Sequence, residues 1–261
     1  MSIIEDVVWA DVRREGDGLL VVAGELEGDD VVVWRWQGDL LDSEVAARRL
    51  LATAGISQQE MLGHGPGWMV LEALGEGLWR TVHSSDLDHP ELWRRLGRWI
   101  AAAHRVPAEG LGPDPLWSLL DAPLLGLVAQ AIGSLGGLTA RVTAWQDELA
   151  RLPQVVCLGG LDEERIEVVG QVVDARPGDL SRCHRGAAVQ DLVVLERQLT
   201  PGQWQLLAAG HGLDGFDDPQ EQPGWRAAAG LVCVLDLAAA VLSGKDPAPA
   251  LNRLDGLVHG G

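Results

Sequence analysis

The chain has 261 residues, 47% of them apolar, which is long and hydrophobic enough to bury a core and unlike a disordered composition. Its 38 acidic side chains outnumber 20 lysines and arginines, and the formal charge of −18 repels phosphate backbones and anionic lipid, so neither nucleic acid nor a membrane surface is an expected partner. No uninterrupted apolar run reaches the ~18 residues of a membrane span, and the start Met1-Ser2-Ile3-Ile4-Glu5-Asp6 lacks the basic and apolar segments of a secretory leader, so a cytoplasmic protein is expected.

The first forty residues read as an antiparallel meander. Alternating residues run from Val7 to Arg13, Leu19 to Leu26 and Val31 to Trp36, with acidic-glycine turns between them. A helix follows, with Asp42 or Ser43 as its cap and Glu44 in its first turn, and it stops at Gly55. Trp68 to Glu72 reads as another strand. From Asp88 the pattern turns helical. Pro90 to His104 carries Leu92, Trp93, Leu96, Trp99, Ile100 and Ala103 at helical spacing. Leu116 to Leu152 predicts two helices broken around Gly133 to Gly137. Val155 to Leu158 and Ile166 to Val173 predict a hairpin turning at Asp162-Glu163-Glu164, followed by an irregular stretch to Ala188. Helical segments make up the remainder. Strands followed by helices imply an α+β class, divided as residues 1–75, antiparallel strands plus one helix, and residues 76–261, helical with an embedded β-hairpin.

Several pieces, in this order, resemble the aminoglycoside phosphotransferase and choline kinase branch of the kinase-like fold. Val31-Val32-Val33-Trp34-Arg35 resembles the strand bearing a nucleotide-gripping lysine, with Arg35 near that position, and Glu44 falls where the family's helix glutamate pairs with it. Gly67 to Gly77, with Val70 to Gly75 at its centre, resembles the hinge between lobes, and Leu96 to His104 a helix ending in histidine. Val155 to Ile166 resembles the catalytic loop, Gly170 to Asp174 a strand ending in a metal-binding aspartate, and Ala188 to Leu195 a segment with a structural aspartate at Asp191. The resemblance implies two lobes: a small antiparallel-sheet N-lobe and a larger, mainly helical C-lobe.

It also implies a chemistry that the residues do not support. Phosphoryl transfer needs positioning and charge neutralisation. The family uses a loop carboxylate as base, an asparagine and an aspartate for magnesium, and a lysine for the phosphates. Here the loop carries Leu158 in place of histidine, Gly160 in place of the carboxylate and Arg165 in place of asparagine. Lys245 and Asn252 are the chain's single lysine and asparagine, too near the C-terminus to fill the missing roles. Arg35 keeps a charge without the compact ammonium. Arg35, Glu44 and Asp174 are the candidate cofactor contacts, and Asp174 beside Arg165 and Arg176 is read as an ion-pair partner.

Other features have plainer readings. Cys157, Cys183 and Cys233 are widely spaced, and no second Cys or His pair supports Cys183-His184 as a metal site, so none is expected. His83, Ser84, Ser85, Asp86, Asp88 and His89 form a polar cluster read as helix capping by Ser85, Asp86 or Asp88. Trp34, Trp36, Trp68, Trp79, Trp93 and Trp99 supply either a ligand-facing wall or, in a chain without tyrosine, ordinary core aromatics. His104 reads as a packed histidine. The expectation is a degenerate phosphotransferase-like protein, a pseudokinase, that binds a partner protein, a basic peptide or a small molecule without a cofactor. The alternative is an atypical phosphotransferase that uses ATP and magnesium at a non-standard site.

Overall fold

The computed structural model describes residues 3–16, 19–36, 40–73, 79–113, 117, 120–131, 137–213 and 221–259. It is an α+β structure with an antiparallel sheet at the N-terminal end and a mainly helical remainder. Strands β1 (Val8–Gly16), β2 (Leu19–Leu26) and β3 (Asp29–Trp36) form the expected meander. Two further strands, β4 (Met61–Gly65) and β5 (Trp68–Glu72), complete a five-stranded sheet in the order β1-β2-β3-β5-β4. The strand period of two decides what each face buries. Val31, Val33 and Val70 point to one face and pack with Val7, whereas Met69 and Leu71 point to the other, against Leu41 and Val45 of helix α1 (Leu40–Thr53). The helix starts at Leu40, so Asp42 and Ser43 lie within its first turn and are not its caps. Residues 74–78, which include the expected division after residue 75 and Gly75 itself, lie outside the described residues, as does the helix break at Gly133 to Gly136.

Helix α2 (Pro90–Ala103) buries the face that its spacing predicts: Leu92, Trp93, Leu96, Trp99, Ile100 and Ala103. His89 caps it, its Nδ1 accepting from Glu91 N–H at 3.3 Å, so the cap is one residue beyond the expected Asp88. Asp86 caps the preceding 3-10 turn, Ser84–Asp86, where its carboxylate accepts from His83 N–H, and it pairs with Arg80 at 2.6 Å. Helices α3 (Ala122–Ala131), α4 (Leu138–Ala150), α5 (Ala188–Gln198), α6 (Pro201–His211), α7 (Trp225–Leu242) and α8 (Ala248–His259) complete the helical part. Helix α7 has 18 residues and is apolar enough by composition to cross a membrane, but Ala228, Leu231, Val234 and Leu237 are buried inside the core. Helices α2 and α6 cross with unusual closeness at two glycines. A Cβ on Gly97 would lie 2.1 Å from Leu207 O, and one on Gly210 would lie 2.1 Å from Arg94 O.

The expected hairpin between Val155 and Val173 does not form. Strand β7 (Gln154–Cys157) pairs with β10 (His184–Ala187), while β8 (Ile166–Val169) lies between β6 (Trp79–Thr81) and β9 (Asp174–Pro177). The stretch expected to be irregular therefore supplies two strands. The acidic residues from Asp162 belong to a connection ending in a 3-10 turn, Glu163–Arg165, that joins two different sheets. Of the six tryptophans at issue, Trp93 and Trp99 are buried in the main core, Trp34 and Trp68 are half-buried against the two small clusters of the sheet, and Trp79 is half-buried. The Trp36 side chain is outside the described set.

Candidate functional site

The segment after β7 turns sharply at two glycines with left-handed backbone, Gly159 (φ +73°) and Gly160 (φ +116°). Gly160 has no side chain, and a Cβ there would meet Gln198 Nε2 at 3.0 Å in a conformation that L residues rarely adopt. Gln198 Oε1 accepts from Leu161 N–H at 3.0 Å and so steadies this turn. Beneath it, Asp191 is fully buried and holds the loop from the first turn of α5. Its Oδ1 accepts from Gly159 N–H at 2.8 Å, and its Oδ2 accepts from Leu158 N–H and from His104 Nε2 at 3.1 Å. Against the upward push of burial, the hydrogen bond and charge of His104, the charge of His184 and the Leu158 amide hold the Asp191 carboxyl below its usual value.

His104 is more than a packed histidine. It donates through Nε2 to Asp191, and its Nδ1 shares a hydrogen bond with His211 Nε2, 3.0 Å away. Burial, then the charges of His104 and Arg105, lower the His211 imidazole to about 4. Cys157 Sγ, the His104 ring and Asp191 lie within 4.8 Å of one another. They are donor types suited to a metal, but the His104 nitrogens and both Asp191 oxygens already hold protein hydrogen bonds, and Cys157 Sγ donates to Ala187 O at 3.5 Å. The triad is a support for the loop.

Arg165 extends from the end of the loop and meets two carboxylates. It pairs with Asp179, and its Nε is 3.1 Å from Asp162 Oδ2. The space left among Leu158, Gly160, Asp162, Arg165, Asp179 and Arg182 is about 20 Å³. That volume holds about one water molecule.

Asp174 is not the carboxylate beside Arg165. The ladder between β8 and β9 pairs Val169 with Asp174 and Ile166 with Pro177, and Gly178 N–H donates to Arg165 O at 2.6 Å. Asp174 therefore sits at the far end of the hairpin, about four residues or ~13 Å from Arg165 at strand rise, with its Oδ1 accepting from Ala175 N–H. Asp179 comes to the site in its place. Arg176 pairs with Glu167 at 2.7 Å, with Asp174 adding a weaker attraction, and its guanidinium lies 3.8 Å from the Trp79 ring.

Nor do Arg35 and Glu44 meet. Arg35 is exposed on β3, with its guanidinium 5.9 Å from the Trp9 ring. Glu44 is fully buried and pairs at 2.7 Å with Arg48, one turn further along α1. Burial pushes the Glu44 carboxyl up while Arg48 opposes it. The pair ties α1 to the segment after β9. Arg48 donates to Gly178 O at 3.0 Å and Gln59 O at 2.9 Å, and Leu180 N–H donates to Glu44 Oε2 at 2.7 Å. Glu-x-x-x-Arg is a helical i,i+4 spacing, so this pairing carried a sequence signal. Asp179 and His211 carried none.

No family model matches the sequence, and no curated protein matches it. The structure does match solved ones. A choline/ethanolamine kinase family protein from Mesorhizobium loti is similar with a TM-score of 0.62 at 18% identity, over 95% of this chain and 87% of that one. Choline kinase LicA from Streptococcus pneumoniae is similar at 0.59 and 13%, covering 97% and 93%. Aminoglycoside phosphotransferase APH(4)-Ia is similar at 0.62 and 14%, covering 98% and 94%. At these TM-scores and coverages the chain has the two-lobed, kinase-like fold of the choline kinases and aminoglycoside phosphotransferases.

Proposed function

We propose that this protein is a catalytically degenerate, phosphotransferase-like binding module. One observation carries the reading: the place where such a fold would perform its chemistry is filled by the protein's own ion pairs. Arg165 lies between Asp162 and Asp179 in a space of about 20 Å³, whereas small-molecule sites span about 300–1,000 Å³. A magnesium–nucleotide complex does not fit this donor set. Both carboxylates are spent on a fixed cation, and that cation repels a divalent metal. Gly160 supplies no base, and its backbone disfavours replacement by a residue that would. Glu44, the candidate cofactor contact on α1, is taken up by Arg48, and the pair joins α1 to residues 178–180.

The test is a thermal-shift titration with ATP and ADP, with and without magnesium, beside an assay for ATP turnover. The expected result is no magnesium-dependent shift and no turnover. A ligand at 100 times its Kd would raise Tm by about 5–10 °C for a chain of this size. Such a magnesium-dependent shift, with turnover that Asp179→Asn abolishes, would replace this reading with that of an atypical phosphotransferase.

A further inference from the structure

A second, larger cavity of about 170 Å³ adjoins the glycine turn at Gly159. Val194 of α5, Val232 and Leu235 of α7 and the Trp117 ring give it an apolar wall, and His184, Asp191 and Asp236 also line it. An apolar cavity of about 150 Å³ is large enough to take a benzene-sized molecule.

The acidic charge of the whole chain would suggest a cationic occupant, but both carboxylates lining the cavity already carry hydrogen bonds from the protein. Asp191 accepts from Leu158 N–H, Gly159 N–H and His104 Nε2. Asp236 Oδ2 accepts from two arginines, Arg197 and, at 2.9 Å, Arg253. A cationic ligand would compete with these arginines and with the His104 bond for the same carboxylates. Gln190 also lines the cavity. Its Oε1 is occupied by Ala187 N–H at 2.6 Å, so what it could offer a ligand is its amide N–H donors. We infer that this cavity binds a small, uncharged, mostly apolar ring compound, with Gln190 as the donor that would orient it. The inference rests on the binding-module reading and gives that module's ligand a chemical class.

The test uses the full chain with indole as the neutral probe and tetramethylammonium as the cationic one. Binding is read by saturation-transfer NMR and by thermal shift. Indole at ten times its Kd is expected to raise Tm by about 3–5 °C, and tetramethylammonium is expected to do nothing. Val232→Trp, which fills the cavity with its own ring, is expected to lower indole affinity at least tenfold. Val194→Phe makes the same test from α5 should the first variant fail to fold. Absence of indole binding, indole binding that persists in the folded variants, or displacement of indole by tetramethylammonium would each overturn the inference. Magnesium-dependent ATP turnover would remove the binding-module reading whatever indole does, while silence toward both indole and ATP would remove only the cavity's assignment.

Discussion

Replacing His211 by glutamine should flatten the acid side of this protein's stability profile. His211 is folded with its imidazole lowered from 6.5 to about 4, chiefly by burial and secondarily by the charges of His104 and Arg105. A depressed folded value means that the unfolded chain takes up the proton first. Stability is therefore complete above pH 6.5 and is lost as pH falls from there toward 4. The gap corresponds to about 3 kcal/mol, reduced to about 2–3 kcal/mol because the ring is only partly buried. Glutamine keeps an amide that can donate to or accept from His104 Nδ1, but it does not titrate. The assay is urea unfolding of both proteins at pH 7 and pH 4.5, with equal m-values required. Carboxylates common to both proteins cancel in the difference. The variant is expected to lose about 2 kcal/mol less than the parent over that interval. Parallel losses within about 0.5 kcal/mol would refute the account of the His211–His104–Asp191 chain, since a typical independent site contributes no more than that.

Two further outcomes follow from the packing. Gly97→Ala places a methyl 2.1 Å from Leu207 O at the crossing of α2 and α6, so the helices must part, and a loss of about 2–4 kcal/mol is expected in equilibrium unfolding; Gly112→Ala, in open space, serves as the control. Arg48→Met leaves Glu44 buried without its cation and frees the carbonyls of Gln59 and Gly178. It should cost about 3–5 kcal/mol and raise amide exchange at residues 178–180; unchanged exchange there would show that the pair does not hold that segment.

The local architecture was legible because its determinants are local. The alternation in Val31 to Trp36, the turn at Glu27-Gly28 and the helical spacing of Leu92 to Ala103 each act within a few residues, and all three appear in the structure. Their order also carried the kinase-like resemblance, which holds at the level of the fold. That a glycine stands at 160 and an arginine at 165 is a fact of residue identity that needs no coordinates.

What failed was partner choice. A short strand such as Val155 to Cys157 carries no local mark of which strand will pair with it, and it joined His184–Ala187, about thirty residues away, because burial and backbone hydrogen bonding are settled by the assembled core. The β8–β9 register then put Asp174 at one end of the hairpin and delivered Asp179 to Arg165 at the other. Glu44 had two arginines to choose from, and packing of α1 against the sheet left Arg35 in solvent and Arg48 inside. Residue identity determined by itself which chemical groups this protein lacks. Only the tertiary structure decided which of its many charges meet, because an ion pair depends on distances of a few ångströms between residues far apart in the chain.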